Sequence, residues 1–193
     1  MRRVVLIGDS IRIGYQAAVE RELTGLAEVW GPSENGGTSE NVLAHLDEWV
    51  IARRPDVVHL NCGLHDLKIE RGQDERAVPL PRYRANLETI FRRIRNETDA
   101  VIIWATTTPV NERWHREKKD FDRLESDVAA YNQAAAEVAN RMDTPIDDLY
   151  AVVMEHGRDT VLSPDGVHYS EAGYDLLGRA VAEAIRVQLE MNG

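Results

Sequence analysis

The chain has 193 residues, of which 43% are hydrophobic and 29% are charged, and its formal net charge is −10. This length and balance predict one globular domain over residues 1–193 and exclude a disordered or fibrous protein. The acidic charge argues against a nucleic-acid partner, because binding to phosphates requires clustered lysine and arginine.

Cysteine content and the lengths of apolar runs indicate the cellular setting. Cys62 is the only cysteine, so an internal disulfide is excluded. No apolar stretch approaches the ~20 residues needed to cross a bilayer. The run from Val4 to Ile7 is too short for the core of a signal peptide. We therefore expect a cytoplasmic protein with no membrane partner, whose oligomeric state the sequence does not indicate.

Short β-branched runs alternate with longer helical patterns, which is typical of parallel strands joined by crossover helices. The predicted strands are 3–7, 28–31, 56–61, 100–105 and a weak fifth at 145–149. The predicted helices are 11 to about 24, 38 or 39 to before Pro55, 83–94, about 121–141, 150–156 and 170 to about 189, the last capped by Ser170. Two long loops, 66–81 and 106–119, separate them. This order predicts an α/β fold, a three-layer α/β/α sandwich with a five-stranded, mostly parallel sheet.

Ligands of such sheets bind beyond the carboxyl ends of the strands, where three glycine-containing motifs lie. Gly8-Asp9-Ser10 ends the first strand and opens the first helix, whose free N–H groups and dipole favour a negative charge beside Ser10. Ser10 is either a nucleophile or only the cap of that helix. Gly36-Gly37 follows the second strand, and Asn61-Cys62-Gly63-Leu64-His65-Asp66 follows the third.

A turn before the last helix contains Asp165 and His168, three residues apart. At this spacing the carboxylate can reach Nδ1 of the imidazole and leave Nε2 free to act as a base. A serine, a base and an orienting carboxylate are the parts of nucleophilic acyl transfer. The alternatives are a surface histidine beside a turn-capping aspartate, or two metal ligands. No further ligands at suitable spacing accompany the pair, so we expect no metal.

Signatures of other functions are missing from the sequence. The first strand is not followed by Gly-x-Gly-x-x-Gly and the chain has no Gly-Lys-Ser/Thr of the Walker type, so no nucleotide cofactor is expected. Gly8-Asp9-Ser10-Ile11-Arg12 does not fit the Gly-x-Ser-x-Gly elbow either. A phosphoryl-transfer domain would need clustered carboxylates, of which only Asp9 is present.

The motifs and their order resemble the GDSL esterase/lipase group, also called SGNH hydrolases, nearly from end to end. Gly8-Asp9-Ser10 is similar to the first block of that family, and Asp165-Gly166-Val167-His168 is similar to its last block, Asp-x-x-His. The resemblance implies the flavodoxin-like SGNH hydrolase fold. It also implies a serine esterase that works through an acyl-enzyme without a cofactor, with Ser10 as nucleophile, His168 as base and Asp165 as its orienting acid.

The second and third blocks of the family's pattern imply which residues form the oxyanion hole. Gly36-Gly37-Thr38 resembles the second block, which implies that Gly36, or alternatively Gly37, donates an N–H to the oxyanion beside the N–H of Ser10. Gly63-Leu64-His65-Asp66 resembles the third block, Gly-x-Asn-Asp, but His65 stands where the family has its asparagine. An imidazole donates from a given nitrogen only in the right tautomer or when charged. His65 is therefore the expected third donor, with Asn61 as the alternative.

The resemblance implies small acyl esters, carbohydrate acetates, thioesters or lysophospholipids as substrates. We expect the loops 67–81 and 106–119 to wall the pocket and Asp9, Arg113 and Trp114 to contact substrate, although Trp114 could serve packing instead. Because no long apolar lid is present, a short acyl group is favoured, such as a carbohydrate acetyl ester. The rival hypothesis is a non-catalytic binding module on the same scaffold, against which the joint presence of Ser10, Asp165 and His168 weighs.

Overall fold

The structure, a computed structural model, describes residues 1–191. The last two residues of the predicted domain, 192–193, lie outside the described residues. Strands and helices alternate as the hydrophobic pattern predicts. The strands are β1 Arg2–Ile7, β2 Ala27–Trp30, β3 Val57–Leu60, β4 Ile69–Glu70, β5 Val101–Ala105, β6 Phe121–Asp122 and β7 Ile146–Asp147. The helices are α1 Ser10–Glu22, α2 Ser39–Ala44, α3 Leu46–Trp49, α4 Leu80–Glu97, α5 Glu112–Lys118, α6 Glu125–Arg141, α7 Leu149–His156, α8 Arg158–Val161 and α9 Glu171–Met191.

Five of the strands form one parallel sheet in the order β2-β1-β3-β5-β7. The predicted five-stranded parallel sheet is thereby confirmed, and its strand order is that of a doubly wound, flavodoxin-like sheet. The order reverses between β1 and β3, where Val5 pairs with Val58. A crevice therefore opens beyond the carboxyl ends of these two strands, and the segments that follow β1 and β3 border it.

Helices cover both faces of the sheet, as the sandwich prediction requires. On one face α1 and α9 pack side by side and parallel, and α4 packs with α2 and α6 on the other. A Cβ at Gly14 would lie 2.2 Å from the Tyr174 ring, and one at Gly178 would lie 2.4 Å from Ala18 Cβ. The absence of these side chains lets α1 and α9 approach closely at Gly14 and Gly178. The turn that precedes α9 is thus held beside the start of α1.

The single helix predicted from residue 38 or 39 to before Pro55 is wrong. The segment divides into α2, α3 and a 3-10 turn at Ile51–Arg53. At His45 the backbone leaves helical geometry (φ −102°, ψ 8°), and its ring stacks on Trp49 at 4.5 Å between centroids. The second strand begins and ends one residue earlier than predicted, at Ala27–Trp30.

Both long loops contain regular structure that the sequence prediction missed. The loop 66–81 contains β4, which pairs antiparallel with β6, so residues 121–122 are extended rather than helical. The loop 106–119 contains α5, whose N-cap Asn111 accepts a hydrogen bond from the Trp114 N–H. Helix α8 was also not predicted. Within residues 1–191 no helix is long and apolar enough to span a bilayer.

Candidate active site

The first residue of α1, Ser10, lies where β1 ends. The cap of this helix is Asp9, whose carboxylate accepts the Ile11 N–H at 2.9 Å. The alternative that Ser10 is the cap is therefore wrong. Among residues 1–191 the Ser10 N–H has no hydrogen-bond partner. Both the hydroxyl and the N–H of Ser10 are thus available beside the positive end of the helix dipole.

His168 joins Ser10 to Asp165, although 158 residues separate it from the serine. Ser10 Oγ lies 2.9 Å from His168 Nε2, and His168 Nδ1 lies 2.5 Å from Asp165 Oδ2. Because an ionised carboxylate only accepts hydrogen bonds, Nδ1 carries the proton, and Nε2 of the neutral ring accepts from the serine hydroxyl. This arrangement can remove the hydroxyl proton when Oγ attacks a carbon atom.

Asp165 is fixed by more than the imidazole. Its Oδ1 accepts hydrogen bonds from Ser163 Oγ at 2.8 Å, from Val167 N at 3.1 Å and from His168 N at 2.9 Å. Lys119 Nζ lies 3.8 Å from Oδ2. Burial by itself raises the pKa of Asp165, but the hydrogen bonds from His168, Ser163 and Val167 outweigh it and hold that pKa well below its usual range. The carboxylate is therefore ionised and has a fixed orientation.

The turn that contains Asp165 and His168 packs on the start of α5. Asn111 N donates to Gly166 O at 2.8 Å, and Ser163 N donates to His168 O at 2.7 Å. Gly166 has φ +75°, and a Cβ there would lie 2.5 Å from Asn111 O. Only glycine fits this close approach. Ser170 Oγ then accepts the Gly173 N–H at 3.2 Å and caps α9, as predicted.

The glycine pair after β2 is fastened to the end of β1. Gly36 N donates to Gly8 O at 3.0 Å, and a Cβ at Gly36 would lie 2.6 Å from that oxygen. Gly37 N donates to Asn35 Oδ1 at 2.9 Å. Both N–H groups therefore have protein acceptors in this structure. The assignment of either glycine to an oxyanion hole stays a prediction, which requires Gly36 to exchange the Gly8 carbonyl for substrate.

His65 is half-buried after β3 and has no hydrogen bond within residues 1–191. Burial lowers its pKa, Asp9 opposes this, and the positive charges of Arg123 and Lys68 add to the lowering. A neutral imidazole with one N–H donor results at neutral pH. The alternative donor Asn61 is engaged elsewhere, because its Nδ2 donates to Ala105 O at 2.8 Å.

Asp66, next to His65, ties the segment after β3 to the start of α2. Its fully buried carboxylate accepts the Ser39 N–H at 2.9 Å and the Ser39 hydroxyl at 2.5 Å, and Asn86 Nδ2 donates to that same hydroxyl oxygen. Burial raises the pKa of Asp66 to about 7, although the bonds from Ser39 act in the opposite direction. Two of the segments that border the crevice are thus joined through one carboxyl group.

This carboxyl group should make the stability of the protein depend on pH. The unfolded chain releases the Asp66 proton near pH 3.8 and the folded chain releases it near pH 7. Its contribution to stability is therefore fully present below about pH 4 and is lost as the pH rises through about 7. We expect the free energy of unfolding of Asp66→Asn, from urea titrations at pH 5 and pH 8, to fall less with pH than that of the wild type. An equal fall in both proteins would contradict this assignment.

The three predicted substrate contacts lie apart from one another. Asp9 is 2% exposed and caps α1. Arg113 is exposed on α5 and borders a cavity of about 390 Å³ between α5 and β6. Trp114 is half-buried beside Gly166 and borders a second cavity, of about 340 Å³, with Leu162. Contact of these residues with substrate stays a prediction, and burial leaves Asp9 little surface for it.

Sequence reasoning missed several residues that hold these groups. Ser163 is two residues from Asp165, and this short-range Ser-x-Asp spacing could have indicated its hydrogen bond. Lys119, Ser39 and Arg123 come from distant segments, and no local pattern marks them. Arg123 is buried, and its Nε donates to the Leu64 carbonyl at 2.6 Å, next to His65.

The structure is a doubly wound α/β sandwich in which a serine, a histidine and an aspartate are hydrogen-bonded in series. The chain belongs to the GDSL-like lipase/acylhydrolase family, whose model matches residues 6–176. The resemblance inferred from the sequence motifs is therefore confirmed, and the chain is an ester-bond hydrolase.

Solved structures agree with this family over almost the whole chain. A lipase/acylhydrolase from Enterococcus faecalis is 27% identical with a TM-score of 0.81, covering 97% of this chain and 96% of that one. An acetylxylan esterase from Geobacillus stearothermophilus is 25% identical with a TM-score of 0.77, covering 95% and 94%. A GDSL-like lipase from Bacteroides thetaiotaomicron shares the fold at 24% identity with a TM-score of 0.73, covering 96% and 88%. No curated protein sequence matches the chain.

Proposed function

We propose that the protein is a serine esterase that removes a short acyl group from an ester through Ser10, His168 and Asp165. The observation that carries this proposal is the unbroken chain of hydrogen bonds from Ser10 Oγ through both imidazole nitrogens to Asp165 Oδ2. This series of hydrogen bonds supports a catalytic function over the rival hypothesis of a binding module, because a protein that only binds has no need of a serine aligned on a base.

The reaction proceeds in two halves. His168 Nε2 takes the proton from Ser10 Oγ as Oγ bonds to the ester carbonyl carbon, and the carbonyl oxygen becomes an oxyanion. The tetrahedral intermediate then collapses, the bond to the alcohol oxygen breaks, and His168 gives its proton to the departing alcohol. His168 next takes a proton from water, the resulting hydroxide attacks the acyl carbon, and the acid leaves as Ser10 Oγ regains a proton. No cofactor takes part.

The oxyanion needs N–H donors at the mouth of the crevice. The N–H of Ser10, the first in α1, is one, and the N–H of neutral His65 is the second. Gly36 supplies the third donor when substrate displaces its bond to Gly8 O. The N–H of a neutral imidazole binds the negatively charged oxyanion more strongly than the uncharged carbonyl oxygen of the bound substrate. It therefore stabilises the transition state more than the ground state.

The role of His65, which stands in place of the family's asparagine, as an oxyanion-hole donor can be tested by substitution. We expect His65→Leu to lower kcat by about 10²–10³-fold, the usual loss for one oxyanion-hole donor, with little change in KM. His65→Asn, which offers an amide N–H, should retain most of the activity. Steady-state kinetics on 4-nitrophenyl acetate measure both variants. If His65→Leu were as active as His65→Asn, another group would have to be the donor.

The substrate class rests on the relatives and on the chain itself. The acetylxylan esterase from Geobacillus stearothermophilus aligns with nearly the whole chain, and this similarity favours a carbohydrate acetate as substrate here. The segments around the crevice carry no long apolar lid that would accommodate a fatty acyl chain. A short acyl ester is therefore favoured over a lysophospholipid, and an oxygen ester is favoured over a thioester.

Competing substrates separate these possibilities. We expect kcat/KM on 4-nitrophenyl esters to be highest for acetyl and to fall steadily toward octanoyl, and we expect acetate release from an acetylated xylo-oligosaccharide. Acetyl thioesters and lysophosphatidylcholine should be poorer substrates. Binding of the oligosaccharide without release of acetate would favour the binding module, and a maximum at octanoyl would favour the lipid substrate.

A further inference from the structure

Arg123 is a buried cation that has no ion-pair partner within residues 1–191. The residue is 6% exposed, and its Nε donates to the Leu64 carbonyl at 2.6 Å. Its two terminal nitrogens make no hydrogen bond within the part of the chain that the structure describes, and no carboxylate there lies within 4.0 Å of them. The guanidinium also lies 4.9 Å from the centroid of the Phe121 ring. Burying an unpaired charge has a high free-energy cost unless a hydrogen-bond acceptor reaches it.

The groups around Arg123 do not neutralise it. Asp9 and Asp165 act on its charge only at longer range, since Asp9 caps α1 and Asp165 holds His168. His115 is fully buried, and burial, together with Arg123, lowers its pKa to about 4, so it is neutral and offers no counter-charge. Lys68, over the same Phe121 ring, is paired with Glu70.

The position of Arg123 connects it with the crevice. The carbonyl that it binds belongs to the residue before His65, and its positive charge lowers the pKa of His65. It also borders the cavity of about 390 Å³ whose wall includes the exposed Arg113. In that wall Asp122 is already bonded to Arg116, and Glu112 accepts the Glu125 N–H. Glu117 is the remaining acid in that wall, whereas Arg113 and Arg123 both lack a salt bridge to any residue in the described range 1–191.

We propose that Arg123 binds a carboxylate in the alcohol part of the substrate, so that the enzyme prefers an acidic ester to its neutral analogue. This inference rests on the proposed function and makes its substrate class more specific. An acetylated sugar acid is such a substrate, because it combines a short acyl group with a carboxylate. Arginine suits the task because its planar fork of donors matches the two carboxylate oxygens. The carboxylate belongs on the alcohol side because a short acyl group cannot extend to a second site.

A matched pair of esters tests the proposal. 4-Acetoxybenzoate carries the carboxylate and methyl 4-acetoxybenzoate lacks it, and the ratio of their kcat/KM values is the readout. We expect Arg123→Met to lower this ratio by about tenfold or more, mainly through KM of the acidic ester. Arg123→Lys should restore part of the ratio. Because any disturbance of Leu64 and His65 affects both esters alike, the ratio isolates recognition of the carboxylate.

The control variant is Arg92→Met, which removes an exposed cation from α4 and should leave the ratio unchanged. Inhibition of the wild type by 4-hydroxybenzoate should exceed that by its methyl ester and should weaken with salt, a measurement that needs no variant. Equal kcat/KM ratios in wild type and Arg123→Met, or equal inhibition by 4-hydroxybenzoate and its methyl ester, would overturn the proposal. The proposed esterase function would not be affected by either result. If the wild type hydrolysed neither ester, the proposed function would fail, and this inference with it.

Discussion

The Ser10→Ala variant should lose about 10⁴-fold or more of its kcat on 4-nitrophenyl acetate, the order of loss that follows removal of a catalytic nucleophile. Without Oγ no acyl-enzyme can form, and the remaining N–H donors and His168 can only assist direct attack by water. Steady-state rates measured with a large excess of variant enzyme determine the residual activity.

The substitution should leave the fold intact. The cap of α1 is the Asp9 carboxylate, and alanine is a good helix former, so the urea midpoint should change little. Ser33→Ala, at an exposed serine in the segment after β2, is the matched control and should retain full activity. A Ser10→Ala protein within tenfold of the wild type would show that another group is the nucleophile.

The second large effect is expected at Asp165→Asn, with a loss of about 10⁴-fold in kcat. The asparagine oxygen can still accept from Ser163, Val167 and the His168 N–H, so the turn keeps its bonds. The amide NH₂ then faces His168 Nδ1, which has to accept. The ring proton therefore moves to Nε2, where it prevents removal of the Ser10 proton.

Kinetics together with far-UV circular dichroism and urea unfolding separate this tautomer effect from misfolding. Asp120→Asn, an exposed aspartate close in sequence to Lys119, is the control that should behave as wild type. If Asp165→Asn kept its structure and most of its activity, Asp165 would be only a residue that shapes the turn, and His168 would not depend on it for orientation.

The sequence predicted the central sheet because its strands are strongly patterned. The run from Val4 to Ile7 and the segment 101–105 are nearly all apolar, as strands buried on both faces must be. Once the sheet is parallel and doubly wound, the segments after β1 and β3 have to meet at one edge. The approach of His168 to Ser10 could be expected only through the family resemblance, because it depends on the contact between α1 and α9 at Gly14 and Gly178.

The features that the sequence did not reveal depend on long-range contacts. Residues 121–122 are extended because they pair with β4, which overrides the helical pattern that follows them. Asp9 rather than Ser10 caps α1, and two adjacent residues that both suit an N-cap cannot be ranked from sequence. The bond from Gly36 N to Gly8 O and the burial of Arg123 against Leu64 join segments far apart in the chain.

The most direct measurement is mass spectrometry of the protein after reaction with a 4-nitrophenyl alkylphosphonate, which mimics the tetrahedral intermediate and stays on an activated serine. We expect one phosphonyl group per chain, on the peptide that contains Ser10, with no label in Ser10→Ala and much slower labelling in Asp165→Asn. A label on a different residue, or none on a protein that still hydrolyses 4-nitrophenyl acetate, would contradict the role of Ser10 as the nucleophile.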